Sequence, residues 1–431
     1  MHLMFTFTIL SCIVLILTTI NISVTASYHP ISNTGAVLDL HGNLLPLGIF
    51  YTTIEIGTPA QSFQVTVDTG STDLLVPIAG CTGCKKNTTL YVPSQSATTA
   101  IEICNKTLKC SKCQPNGEDS QCSFLDSYLT CDLSNLTAIC SVEGGIYRDT
   151  LTIGSLKATN VRFGGIDKQT TNFDQFQQID GIMGLAYFGD TRGSPMGFDV
   201  TPFQRLVNQN DGLEDVIQMC LTTNGGLLIF GQDEEIDQQY YTGKLRWTPI
   251  TLEAWYVVNA TGLLVNNLNM NISLLELNGP FPSDPCIVDS GTNFLSLREP
   301  AFNAVVDEFY NLCNVSYLVG ICDVSFNQSL FNGVEYALSE AELANFPNVE
   351  IDLVDNDDPH GSIKLPIDPV DYFVRLDNGK YRLGITMGDC IIGNTHMLKY
   401  WTVYDRGNKR LGFAEAIKNK CVAKRANLLH K

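Results

Sequence analysis

Positive charge is the scarcest resource in this 431-residue chain: 27 Lys and Arg stand against 45 Asp and Glu, a formal net charge of −18. Phosphate backbones are held by clustered cations, so a nucleic-acid partner is excluded on composition. The basic stretch at the end, "IKNKCVAKRANLLHK", reads as a solvated tail. Histidine is also sparse. His29, His41, His360, His396 and His430 fit no HExxH or other paired spacing, and no G-x-S-x-G elbow occurs, which argues against a zinc hydrolase and a serine hydrolase. Helical periodicity is rare, and past residue 26 no hydrophobic run reaches the length that spans a bilayer.

The long apolar run that does exist is the first 26 residues, without Asp, Glu, Lys or Arg and closing on Val24, Thr25 and Ala26. It reads as a secretory signal segment with cleavage after Ala26, and not as an anchor, because Thr18, Thr19, Asn21 and Ser23 interrupt it. Removing Cys12 with it leaves an even number of cysteines, as a disulfide framework requires. Sequons at Asn87, Asn105, Asn135, Asn259, Asn271, Asn314 and Asn327 fit the same oxidising route to a secreted, lysosomal or vacuolar destination. The pairs "CTGC" and "CSKC" could mimic a zinc site, but behind a signal segment and beside Cys104 and Cys122 they read as disulfides of open connectivity. No metal and no cofactor is expected.

Runs such as "FYTTIEIGTPAQSFQVTVDTG" and "WYVVNATGLLVNNLNMNISLLEL" are rich in β-branched and aromatic residues between turn formers, and predict an all-β fold. One helix is predicted in "EPAFNAVVDEFYNLC", with Pro300 in its first turn and apolar residues at 302, 305, 306 and 309. More telling is an internal repeat. "VDTGSTDLLVP" is echoed by "IVDSGTNFLSL" at 287 to 297, and "DGIMGLA" at 180 to 186 by "CIIGNTH" at 390 to 396. Two halves therefore each supply one acid, Asp68 or Asp289, and one apolar-apolar-Gly segment.

An acid at the end of a buried strand is costly unless donors surround it. Thr69, Ser71, Ser290 and Thr292 carry hydroxyls for that purpose, and Gly70 and Gly291 permit the turns. If the halves meet about a pseudo-twofold axis, Asp68 faces Asp289 and the pair shares one proton. Asp180 and Asp405 read instead as structural hydrogen-bonding acids.

From about Gly48 to Ala414 the ordered set "DTGSTDL", "DGIMGLA", "DSGT", "IIGN" and "YWTVYDRGNKRLGFA" resembles the pepsin-like aspartic proteases. The cysteine-rich stretch after Val76 is similar to the insertion of the nepenthesin-like branch. The resemblance implies two β-barrel-like lobes with a cleft for an extended peptide, catalysis by Asp68 and Asp289, and outer oxygens oriented by Ser71 and Thr292. It also implies a monomeric endopeptidase active in acid. It divides the chain into a signal (1–26), a short segment that is a possible propeptide (27–47), an N-terminal lobe (48–245), a C-terminal lobe (246–415) and the tail (416–431).

Departures from the family pattern lie over the cleft. Tyr128 is the expected flap tyrosine, with Tyr147 as runner-up, and Leu75 stands where many members have a supporting Trp. A bridge from Cys131 to Cys140 is expected to staple an enlarged flap. The resemblance also pairs Cys322 with Cys390, leaving Cys220, Cys286, Cys313 and Cys421. Residues 27–50 carry no Lys or Arg, so no salt-bridging prosegment is expected. The alternative is a non-catalytic, pepsin-like binding protein that keeps the fold.

Overall fold

The computed structural model describes residues 35–45, 48–85, 87–104, 112–113, 120–129, 139–170, 179–187, 200–232, 237–280 and 285–422. The expected signal segment, Cys131, Asn105, Asn135 and most of the cysteine-rich insertion lie outside them.

Alternation is the local cause of the first strands. In "QSFQVTVD", Gln61–Asp68, the residues Phe63, Val65 and Val67 all face the core, and the hairpin partner Ile49–Ile56 pairs with it from Tyr51↔Thr66 to Ile56↔Gln61. The fold is mostly β, in two lobes with a few short helices. The lobes are joined by a continuous antiparallel run in the order Tyr241–Pro249, Arg410–Ala416, Tyr400–Asp405, Val216–Thr222, Gly225–Phe230 and Ala36–Asn43. Strands from both ends of the chain thus share one sheet. The division drawn at residue 245 falls inside one of its strands, Tyr241–Pro249.

Residues 36–43, which the sequence reading assigns to a short N-terminal segment, form a core strand of this sheet. Ala36, Leu38 and Leu40 are buried, and the strand pairs first with Gly225–Phe230, through residues 36–40, and then with Ile49–Ile56, through residues 41–43. The predicted helix is present at Glu299–Leu312, with Pro300 in its first turn and Ala301, Phe302, Val305, Val306 and Phe309 buried. Such a stripe contributes roughly 2 kcal/mol for each large side chain removed from water.

The disulfides correct one expectation. Cys322 pairs with Cys313, nine residues away across the exit of the helix, and Cys390 pairs with Cys286. The reason is register. Cys286–Val288 and Ile391–Ile392 run parallel with Ile287 beside Ile391, so the preceding residues of each strand are neighbours, with Cα atoms 4.5 Å apart. Cys81 bridges Cys84, which uses the "CTGC" pair as a disulfide, and Cys220 bridges Cys421, fastening the start of the tail to the shared sheet. Cys140 is disulfide-bonded too.

Candidate active site

Each half builds the same local device. Gln61–Asp68 ends in an acid, the chain turns, and Leu74–Thr82 leaves antiparallel to Gly181–Gly184, which itself runs parallel to the first strand with Gly184 beside Asp68. In the other half Cys286–Val288 leads into Asp289, Leu295–Leu297 leaves, and Ile391–Ile392 lies between them. The cross-strand partners are Leu75 with Ile182 and Ser296 with Ile391, seven residues past each acid. The internal repeat of the sequence is therefore a repeat of strand order.

The two turns mirror each other atom for atom. Gly70 N–H donates to Asp68 Oδ1 at 2.8 Å, and Ser71 Oγ donates to Asp68 Oδ2 at 2.5 Å. Gly291 N–H donates to Asp289 Oδ1 at 2.7 Å, and Thr292 Oγ1 to Asp289 Oδ2 at 2.6 Å. The sequence reading also counts Thr69 and Ser290 among the donors to the carboxylates; the structure uses them differently. Ser290 N–H donates to Thr69 Oγ1 at 2.8 Å and Thr69 N–H to Ser290 Oγ at 3.1 Å. Each hydroxyl then donates across the lobes to the carbonyl just before the opposite acid, Thr69 to Val288 and Ser290 to Val67. These buried crossed bonds lock the two turns together.

The lock leaves no spare volume. A Cβ added at Gly70 would lie 2.6 Å from Asp289 Cγ, and one added at Gly291 would lie 2.4 Å from Asp68 Oδ1, so each glycine admits the carboxylate of the other half. Both acids are buried, and their carboxyls are neighbours: the same Cβ at Gly291, 2.4 Å from Asp68 Oδ1, would lie 3.2 Å from Asp289 Oδ1. Burial, and then the charge of Asp68, push the Asp289 carboxyl up to about 7, against the pull of Thr292 and Gly291. A proton is therefore held between the two acids through the acid range.

Behind this platform sits a buried cation, Arg406, within the "YWTVYDRGNKRLGFA" motif, whose task local sequence does not reveal. Arg406 donates to the carbonyls of Leu185 at 2.9 Å and Ala186 at 3.2 Å, pairs with Asp215 at 2.9 Å, and lies 4.4 Å over the Tyr187 ring. Leu185 N–H in turn donates to the Asp68 carbonyl at 2.7 Å. Arg406 thus ties the C-terminal half to the loop that backs Asp68. Removing one partner of a buried ion pair leaves the other uncompensated, and Arg406→Leu should cost about 3 to 5 kcal/mol in unfolding free energy. Urea midpoints of the two proteins measure this; a loss below about 1 kcal/mol would show that Asp215 finds other support.

Asp180 and Asp405 are structural, as read from sequence. Asp180 accepts from the backbone N–H groups of Gln64 and Thr89, and Asp405 accepts from Asn408 and Arg410.

The sheet that contains Gln61–Asp68 also carries a long antiparallel pair, Cys122–Leu129 against Ile139–Ile153. Alternation puts Cys122, Phe124, Asp126 and Tyr128 on one face and Ser123, Leu125 and Ser127 on the other. The inner face packs on a cluster that includes Leu75, Val142 and Ile166, with Tyr128 half-buried against it. Tyr147 does not reach this face. It stacks on Phe163 with ring centroids 5.9 Å apart and belongs to the main core beside Tyr91. The expected bridge partner of Cys140, Cys131, lies outside the described residues. Among the described residues no cluster of His, Cys, Asp and Glu has the arrangement of a metal site.

A family model described as eukaryotic aspartyl protease matches residues 49–416. The chain is similar to pepsin A of Bos taurus, with 27% identity over 380 residues, covering 85% of this chain and 83% of that protein. It is similar to gastricsin of Homo sapiens, with 27% identity over 386 residues and coverage of 85% and 81%. Embryonic pepsinogen of Gallus gallus is 25% identical over 376 residues, with coverage of 85% and 80%.

Proposed function

Because the chain belongs to the eukaryotic aspartyl protease family and is an aspartic endopeptidase, we propose that Asp68 and Asp289 are its catalytic pair and that it cuts extended peptide segments in acid. The observation that carries this is the mirrored set of hydrogen bonds around two acids in contact, each oriented by its own turn and each reached through the other half's glycine.

The chemistry follows from one shared proton. The ionised carboxylate takes a proton from a water molecule as the water oxygen bonds to the peptide carbonyl carbon, and the protonated partner gives its proton to the carbonyl oxygen. The resulting diol collapses when the amide nitrogen is protonated, the C–N bond breaks, and an acid and an amine leave. The raised Asp289 carboxyl fits the donor in the first step. Ser71 and Thr292 hold the outer oxygens, so the inner oxygens are directed to the water. The substrate backbone pairs as an added strand beneath the 122–153 hairpin, and Tyr128 on its inner face is the flap residue that closes over it.

Acid operation is supported by the fold's own titration. Burial raises Asp126, Asp215 and Asp371 as well as Asp289, so these four carboxyls bind protons more readily in the fold than in the unfolded chain. Cleavage of a denatured protein from pH 3 to 7, by the wild type and by Asp68→Asn and Asp289→Asn, tests the assignment. Either variant cutting as fast as wild type would remove that residue from the pair.

A secretory route adds a second expectation. Asn87, Asn259, Asn271, Asn314 and Asn327 are all exposed. Three of them adjoin apolar surface: Leu274 and Leu275 near Asn271, Val315 and Tyr317 beside Asn314, Phe326 beside Asn327. Glycans there would cover that surface. Protein from a eukaryotic secretory host should lose mass on endoglycosidase digestion, and replacing Asn271, Asn314 and Asn327 by Gln should raise self-association in sedimentation. An unchanged mass would mean the sites are unused.

A further inference from the structure

The family resemblance expects the flap tyrosine to be supported from the strand beneath it, yet position 75 on that strand is a leucine, fully buried and unable to accept or donate. One support comes from the flap itself. Tyr128 Oη donates to Asp126 Oδ2 at 3.1 Å, and Asp126 Oδ1 accepts from Ser127 N–H at 3.0 Å. Asp126 and Tyr128 are two residues apart on one strand, so their side chains stand on the same face, over Leu75. Leu75 pairs across to Ile182, whose strand carries Gly184 beside Asp68. An ionisable side chain is therefore built into the inner face of the hairpin, on the side of the strands that lead to Asp68.

We propose that Asp126 is a positioning residue of this enzyme: it orients the Tyr128 hydroxyl over the cleft, and its negative charge lies close enough to Asp68 to make the catalytic pair hold its shared proton to higher pH. This rests on the assignment of Asp68 and Asp289 made above.

The electrostatics run the same way. Burial lifts the Asp126 carboxyl above its ordinary range, the hydrogen bonds from Tyr128 and Ser127 oppose that, and the charge of Asp68 adds to it. Burial and the charges of Asp126, Asp68 and Asp73 hold the Tyr128 phenol well above its usual range, so it stays a donor. The groups facing Asp126 and Tyr128 are thus Asp68 from Gln61–Asp68 and Asp73 from the turn before Leu74–Thr82. On Ile139–Ile153 the residue opposite Asp126 is the apolar Val142, and the nearby Glu143–Lys168 ion pair is exposed. No described cation faces Asp126 in this set. Once Asp126 has given up its proton, its charge is a like charge beside the carboxyl pair, which delays loss of the pair's own proton.

The experiment is a pH profile of kcat/KM from 3 to 7 on one peptide substrate for wild type, Asp126→Asn, Asp126→Ala, Tyr128→Phe, the Asp126→Ala/Tyr128→Phe double variant and Asp68→Asn. Asparagine keeps an acceptor for Tyr128 and removes the charge, so Asp126→Asn should move the basic limb to lower pH by roughly half a unit or more, with a smaller rate loss than the alanine variant. Asp126→Ala and Tyr128→Phe should each lower kcat/KM by on the order of ten- to a hundred-fold, and the double variant should be no worse than either, because both remove one arrangement. Urea midpoints for each variant separate these effects from loss of fold. Additive losses in the double variant, or an Asp126→Asn profile superimposed on wild type, would overturn the proposal. If that happens while Asp68→Asn is inactive, the catalytic pair stands without it; an active Asp68→Asn removes both.

Discussion

Asp289→Asn will abolish turnover and at the same time make the protein harder to unfold at pH 7. The first half follows from the loss of the proton donor, worth on the order of a thousand-fold or more in kcat. The second follows from linkage. The Asp289 carboxyl sits at an ordinary 3.8 in the unfolded chain and at about 7 in the fold, where burial and Asp68 disfavour its charge. Below pH 4 both states are protonated, and the buried acid carries no penalty. As the pH rises from 4 to 7 the unfolded chain gives up this proton while the fold keeps it, and stability falls by up to about 4 kcal/mol. Asparagine is neutral throughout and keeps the size of the side chain. Melting temperatures of variant and wild type should therefore meet near pH 4 and separate by several degrees at pH 7, with the inactive variant higher. Equal melting temperatures at both pH values would mean that Asp289 is not held protonated by its surroundings.

The second large effect has the opposite pH sense. His396 is buried in the short helix Asn394–Met397, which packs against Ser362–Ile367 and Leu295–Leu297, and no described residue makes a well-aligned hydrogen bond to either ring nitrogen. Burial pushes its imidazole down from 6.5 to about 3; a polar contact with the Leu365 backbone opposes this, and the charge of Lys399 adds to the downward push. Here the folded state refuses a proton that the unfolded state takes up. Stability contributed by the neutral ring is complete above pH 6.5 and drains away as the pH falls to 3, about 5 kcal/mol in all. Through the interval from pH 6.5 to 4 this loss runs against the gain from Asp289, so wild type should show a nearly level stability there and a decline below it. His396→Leu should remove the decline: its urea midpoint at pH 3.5 should exceed that of wild type, whatever small packing cost it shows at pH 7. His396→Gln serves as a second neutral replacement. If the two variants and wild type lose stability in parallel between pH 6.5 and 3.5, another group limits acid tolerance.

These opposed residues also mark how far a sequence carries a reader. Asp289 announces itself, because Asp-Ser-Gly repeats Asp-Thr-Gly and the flanking strand pattern recurs with it. His396 looks like a loop or surface histidine, since nothing local tells a residue after "IIGN" that two strands will close over it. Asp126 is similar. Its partner Tyr128 is legible as a flap residue, but the missing support at Leu75 gains meaning only when both are seen on one inner face.

Read alone, the amino-acid order determined the β character, the helix at 299–312, the two halves, both acids and the turn residues Ser71 and Thr292 that orient them. All of these depend on spacings of a few residues, where steric limits and short hydrogen bonds decide the outcome. Tertiary structure alone decided the crossed bonds of Thr69 and Ser290, the Cys286–Cys390 and Cys313–Cys322 pairing, the strand at 36–43 inside the shared sheet, and Arg406 beneath Asp68. Most of these join groups that are far apart along the chain, and which strands become neighbours is set by burying the whole core at once, a choice no short stretch of residues contains.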